Sequence, residues 1–148
     1  VNPNIQPSDN AVFVGVIDPD LNAAGTLTTG WISMATFEAV QCVVMAGALG
    51  TSATLDAKLE QASDSGGTGV KDIAGKLITQ LTEAGGDNDV QAIINCRSDE
   101  LDVDNRFNHV RLSMTVAVAS SDSAGFVLGH YARYQPAADA ATVVEVVT

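Results

Sequence analysis

Apolar and polar positions alternate with period two along much of this chain. In "HVRLSMTVAVA", Val110, Leu112, Met114, Val116 and Val118 fall on one side, and Arg111, Ser113, Thr115, Ala117 and Ala119 on the other. Side chains alternate across a strand, so the pattern predicts a half-buried β-strand with one dry face. Ser120 to Gly125 interrupts it with turn-forming residues. Alternation resumes with Phe126, Leu128 and His130 against Val127, Gly129 and Tyr131. The two runs read together as a β-hairpin.

The same template fits other segments. "AVFVGVIDPD" predicts a short strand ending at the turn signal Asp18-Pro19-Asp20. "LNAAGTLTTG" reads as loop or weak strand. In "FEAVQCVVMAGALG" both alternating sets are largely apolar after Ala39, as in a strand buried on both faces or lying at an interface. Residues 53–61 contain good helix formers. The strand template fits them better, with Ala53, Leu55, Ala57 and Leu59 opposite Thr54, Asp56, Lys58 and Glu60. Positions 58 and 61 are polar, so no helical apolar stripe can widen there. "IAGKLITQLT" and "VQAIINCRS" predict two more strands, the second with Val90, Ala92, Ile94 and Cys96 on one face. "SDSGGTGVKD" and "EAGGDND" are turns or loops, and "DELDVDNRFN" is an acidic connection.

Seven to nine strands separated by turns predict an all-β fold, a single-domain β-sandwich of jelly-roll type. The sandwich is expected over 11–135. An extended, polar N-terminal arm, 1–10, precedes it, and an extended C-terminal tail, 136–148, follows, ending in the strand-capable "ATVVEVVT". Period-two placement puts Phe13, Phe37, Val43, Leu55, Leu59, Ile94, Val110, Leu112, Val116 and Leu128 in the core.

Composition supports this picture. Of 148 residues, 46% are hydrophobic but only 5% aromatic, and 13 are glycine, which suits short strands and tight turns. The formal charge is −11. It would repel a phosphate backbone and an anionic membrane surface, so neither nucleic acid nor membrane is an expected partner. The longest run of low polarity, 39–50, falls short of the roughly 20 residues that span a bilayer. The first ten residues hold no signal-peptide apolar stretch.

Candidate chemistry is sparse. His109 and His130 are accompanied by no GxSxG elbow, and both read as structural. Asp99, Glu100, Asp102 and Asp104 offer carboxylate oxygens for calcium. The EF-hand register fails from Asp99, where the sixth position is Asp104, and from Asp102, where it is Phe107. A solvated acidic turn is the simpler reading. "SGGTG" lacks the GK[ST] of a P-loop. Cys42 and Cys96 show no metal-ligand spacing and read as two buried free thiols, although a disulfide stays open. Trp31, Tyr131 and Tyr134 suit either core packing and interface anchoring or a carbohydrate platform. No catalytic, cofactor-binding or metal-binding residue is expected, and the protein is expected not to be an enzyme.

The succession "TGWISMATFEAVQCVVMAGALG", "ATLDAKLEQASDSGGTGVKDI" and "AIINCRSDELDV…FNHVRLSMTVAVASSDSAGFVLGHYARYQPA" resembles small virion proteins of tailed bacteriophages. Some of these are jelly-roll capsid decoration (cement) proteins. The resemblance covers roughly residues 12–137. It implies a structural protein made in the host cytoplasm and carried on the capsid exterior. Its implied partners are the major capsid protein and further copies of itself, as a homodimer or homotrimer. A tail or baseplate structural protein and a carbohydrate-binding jelly-roll module are the rival readings.

Overall fold

The computed structural model describes residues 4–148; positions 1–3 of the expected N-terminal arm lie outside them. One helical turn, α1 (Pro7–Asn10), precedes ten strands: β1 (Ala11–Asn22), β2 (Gly25–Thr28), β3 (Ile32–Ser33), β4 (Phe37–Ala46), β5 (Thr54–Ala62), β6 (Lys71–Leu77), β7 (Leu81–Thr82), β8 (Gln91–Arg97), β9 (His109–Ala117) and β10 (Ser121–Ala132). Two sheets result, in the orders β1-β10-β4-β8 and β2-β9-β5-β6. The two-residue strands β3 and β7 are side ladders on β9 and β5. With these set aside, one sheet takes the first, eighth, third and sixth strands, and the other the second, seventh, fourth and fifth. That interleaving is the double Greek key of a jelly roll.

The core lies between the sheets. Leu55, Leu59, Leu112 and Met114 are wholly buried there from the β5–β9 side, and Val12, Val40, Val44 and Val127 from the other. Residues 54–62 form a strand, as the polar residues at 58 and 61 predicted. Thr29 ties the end of β2 to β9. Its amide donates to the Leu112 carbonyl, and its Oγ1 accepts from the Leu112 amide, both at 3.0 Å.

Three expectations are corrected. The predicted hairpin does not form: β9 lies in one sheet and β10 in the other. Val118, at φ 74°, centres a tight turn in which the Ala119 amide donates to the Ala117 carbonyl, and the chain crosses the sandwich there. Most of the apparent turn, residues 121–125, is the start of β10. Its small residues answer to packing, since a Cβ on Gly125 would come within 2.8 Å of Leu112 Cδ2. Ser121 and Ser123 are buried beside it with their hydroxyls bonded to main-chain carbonyls.

The second correction concerns Asp18-Pro19-Asp20, which does not end β1. The strand runs on to Asn22 through a register irregularity between Ile17 and Asp20. β1 is an edge strand, where proline removes no ladder hydrogen bond that its neighbour needs.

The third concerns the core. Seven of the ten expected core residues are buried, but Phe13, Val43 and Leu128 are only half-buried. They occupy the outer face of the β1-β10-β4-β8 sheet, while their neighbours Val12, Val44 and Val127 fill the interior.

Candidate interaction surface

The outer faces of the two sheets differ in chemistry. On the β5–β9 side, Arg111 bonds Glu60 at 2.7 Å, and Lys58 reaches Asp72 at 2.7 Å and Glu60 at 3.6 Å. Thr26 and Thr115 share a hydrogen bond at 2.8 Å. The Arg111 guanidinium also sits 4.5 Å over the Trp31 ring. This is a polar face on which Lys58, Glu60, Asp72 and Arg111 are ion-paired and Asp56 accepts a hydrogen bond from Gln80.

The other outer face is apolar. Strand register aligns its residues in rows. Phe13, Leu128, Gln41 and Asn95 form one row, and Val16, Phe126, Val43 and Ile93 the next. Ala124, Met45 and Gln91 extend the face at one end; Ala11, His130, Ala39 and Arg97 extend it at the other. Phe13 and Phe126 stack with centroids 5.7 Å apart. Ile93 is 58% exposed and Met45 41%. The doubly apolar pattern of β4 is thereby explained: Cys42 and Val44 point into the core, and Val43 and Met45 point out of the molecule.

Grooves flank the face at both ends. One is lined by Gln41, Asn95, Arg97, Glu100, Lys76 and His130. The other is lined by Leu21, Met45, Asp20, Asp89, Asp122 and Gln91. Asp20, Asp89 and Asp122 make the second end acidic.

The C-terminal residues reach the same sheet. The Phe13 amide donates to Asp139 Oδ1 at 2.9 Å, and the Ala140 amide donates to the Phe13 carbonyl at 2.7 Å. Ala137 packs against the core. Beyond this anchor Val144 is 97% exposed and Val147 85%.

The residues with candidate chemistry are dispersed. His109 begins β9 and contacts Asn108 at 2.6 Å, while His130 lies on β10 in the other sheet. Each carboxylate of the acidic connection from Asp99 to Asp102 has a protein partner. Arg97 forks onto Asp99, Lys76 bonds Glu100 at 2.8 Å, and Lys71 and Asn105 bond Asp102. The Lys76 ammonium holds the Glu100 carboxyl below its ordinary range, and Lys71 does the same for Asp102. The support these pairs lend the connection is present above the ordinary carboxylate range and fades as pH falls through the lowered values. Asp104 is exposed and does not join them in a cage: among the described residues no three or more His, Cys, Asp or Glu gather as a metal set would. Trp31 packs under Arg111, whereas Tyr131 and Tyr134 stand exposed in and just after β10.

Cys42 and Cys96 are free and buried. Burial pushes the Cys42 thiol up to about 12 and the Cys96 thiol to about 11. Thiolate is the reactive form, so the folded protein is expected to resist maleimide at pH 8 and to take two labels per chain once denatured. Mass spectrometry of the labelled protein reads this directly. Fast labelling of the native chain would contradict the burial described.

Strand order and faces define this protein as a jelly-roll β-sandwich with one polar and one apolar outer face. No family model matches the chain, and no curated protein matches it. Solved structures similar to it include a chain from infectious bursal disease virus Gt strain, at 13% identity and TM-score 0.48, covering 90% of this chain and 36% of that one. A chain in the cryo-EM structure of Broad Bean Stain Virus is 9% identical, with TM-score 0.48 and full coverage of both chains. A chain from the Gx strain of infectious bursal disease virus is 12% identical at TM-score 0.41, covering 86% of this chain and 31% of that one. This chain thus spans about a third of the length of the infectious bursal disease virus chains it matches. Among the described residues no helix is long and apolar enough to cross a membrane.

Proposed function

We propose that this protein is a non-enzymatic structural component of a virion: a decoration (cement) protein on the outside of a tailed-phage capsid. Its partners in this reading are the major capsid protein and further copies of itself. The observation that carries the reading is the pairing of a polar, ion-paired outer face with an apolar one beside an exposed valine-rich tail. Such a surface suits a protein whose work is contact. The sequence resemblance to phage head proteins supplies the setting. The charge of −11 suits a surface facing solvent and sits badly beside packed DNA.

The division into arm, sandwich and tail belongs to the same proposal. Residues 1–10 and the tail beyond Ala140 reach the shell, the tail by adding a strand to a neighbour's sheet. Removing residues 141–148 spares the Asp139 and Ala140 contacts to Phe13, so the truncated chain is expected to keep its strand-type circular-dichroism spectrum. Its binding to empty capsid shells is expected to weaken about tenfold or more. Co-sedimentation with shells measures this. Undiminished binding by this truncation and by one lacking residues 1–10 would sink the arm mechanism. Finding the protein in the tail or baseplate of purified virions would keep the virion reading and remove the decoration role.

A further inference from the structure

We propose that the apolar outer face of the β1-β10-β4-β8 sheet is the self-association surface of this protein, covered by the same face of a second copy. The proposal deepens the reading above by naming the surface on which copies meet, and it rests on that reading only for its biological setting.

Size is the first argument. Four strands spaced about 4.8 Å apart and four side-chain rows about 6.8 Å apart give a patch of roughly 500 Å² in projection. Corrugation and the rim residues Leu21 and Tyr131, both largely exposed, bring it toward the roughly 800 Å² per partner of a standard interface. The anatomy matches as well. Phe13, Val16, Phe126, Leu128 and Val43 form an apolar patch that Ile93 extends onto the β8 edge, and the polar groups are Gln41, Asn95 and those at the two ends.

Charge is the second argument, and it selects both the occupant and its orientation. A chain of charge −11 meets its own copy favourably only through a surface without acids. The register-paired positions of the four rows contain no Asp or Glu, Asp18 and Asp20 lie in the irregular stretch of β1 at the acidic end, and the one cation, Arg97, is forked on Asp99. A two-fold axis parallel to the strands would set Asp20, Asp89 and Asp122 against their own copies. A two-fold axis in the interface and across the strands reverses the rows. The acidic end then faces the end where Arg97 and Lys76 are balanced by Asp99 and Glu100, instead of facing a second unbalanced acidic end. This is an isologous, closed pair in which Val43 and Phe126 lie near the axis.

The test is sedimentation equilibrium of the full chain, with self-association expected in the micromolar range. Ile93 is largely exposed on the edge strand β8, so Ile93→Lys is expected to fold and to weaken association about 30-fold, as an unpaired ammonium buried in the interface would. Arg97→Glu is expected to weaken it by about tenfold, by setting acid against acid. Should the Lys variant fail to fold, the unmodified chain still decides the matter through methionine oxidation. Met34 and Met114 are buried, so peroxide reads Met45 on this face, and its oxidation is expected to slow as protein concentration rises. A wild-type monomer throughout, an Ile93→Lys variant that associates normally, or Met45 oxidation independent of concentration would overturn the proposal. Tighter association of Arg97→Glu would overturn the crossed arrangement. A monomeric wild type that still binds shells would defeat this inference and leave the capsid role standing; a dimer indifferent to shells would do the reverse.

Discussion

Leu112→Ala is expected to lower folding stability by about 3 kcal/mol, within the range seen for leucine truncation in rigid cores. Leu112 is wholly buried on β9, opposite Leu59 of β5. Its Cδ2 fills the space left by Gly125 on the facing sheet. Both of its main-chain groups are engaged by Thr29, so the backbone cannot follow the missing side chain inward. Two sheets held apart by their own ladders collapse poorly around a void, which adds a cavity term to the lost transfer energy. For a domain of this size the melting temperature should fall by roughly 10 °C. Urea denaturation of the variant checks the value. A loss below about 1 kcal/mol would mean that Leu112 does not bridge the two sheets as described.

Gly129→Ala should also be costly, for the opposite reason. A Cβ on Gly129 would lie 2.6 Å from both Cδ1 and Cε1 of Phe37. The Phe37 ring is buried and has no solvent to swing into. Overpacking of this kind costs about 1–3 kcal/mol. Shortening the ring partner should relieve it: in a Phe37→Leu background the same alanine is expected to cost less, by about 1 kcal/mol or more. A double-mutant cycle by thermal or urea unfolding measures that coupling. Additive effects would show that the clash is absorbed by backbone movement elsewhere.

These two sites illustrate what the sequence made legible. Leu112 was readable as core because its strand has one strictly apolar face and one mixed face. Gly129 was not, because a small residue carries no sign of the ring it must clear. The same holds for Ser121, Ser123 and Gly125, which share the composition of a turn and are strand residues suited by size or by buried hydroxyl bonds. Pro19 looked like a strand end and proved to be tolerated at an irregular edge. The hairpin expectation failed because a short connection between two alternating runs is common to a hairpin and to a crossing between sheets. Only the other strands competing for β9 and β10 decide between them. β5 and β2 flank β9, and β1 and β4 flank β10, so neither has a side left for the other.

Periodicity and composition by themselves determined that the chain is all-β, that residues 53–61 extend rather than coil, and that its candidate chemical residues form no known motif. They determined also that the second half of β4 is apolar on both sides. They did not determine which side faces inward. In β1 and β4 an apolar set lies on each face, and hydrophobicity alone ranks the two nearly equally; in β10 it favours the outward Phe126 and Leu128 over the inward Ser121, Ser123, Gly125, Val127 and Gly129. The choice was made when two sheets closed on each other. Bulges and small residues let Val12, Val44 and Val127 meet the opposing layer, and Phe13, Val43 and Leu128 were left outside. The candidate interaction surface is therefore a product of tertiary structure: it consists of the apolar residues for which the core of this one domain had no room.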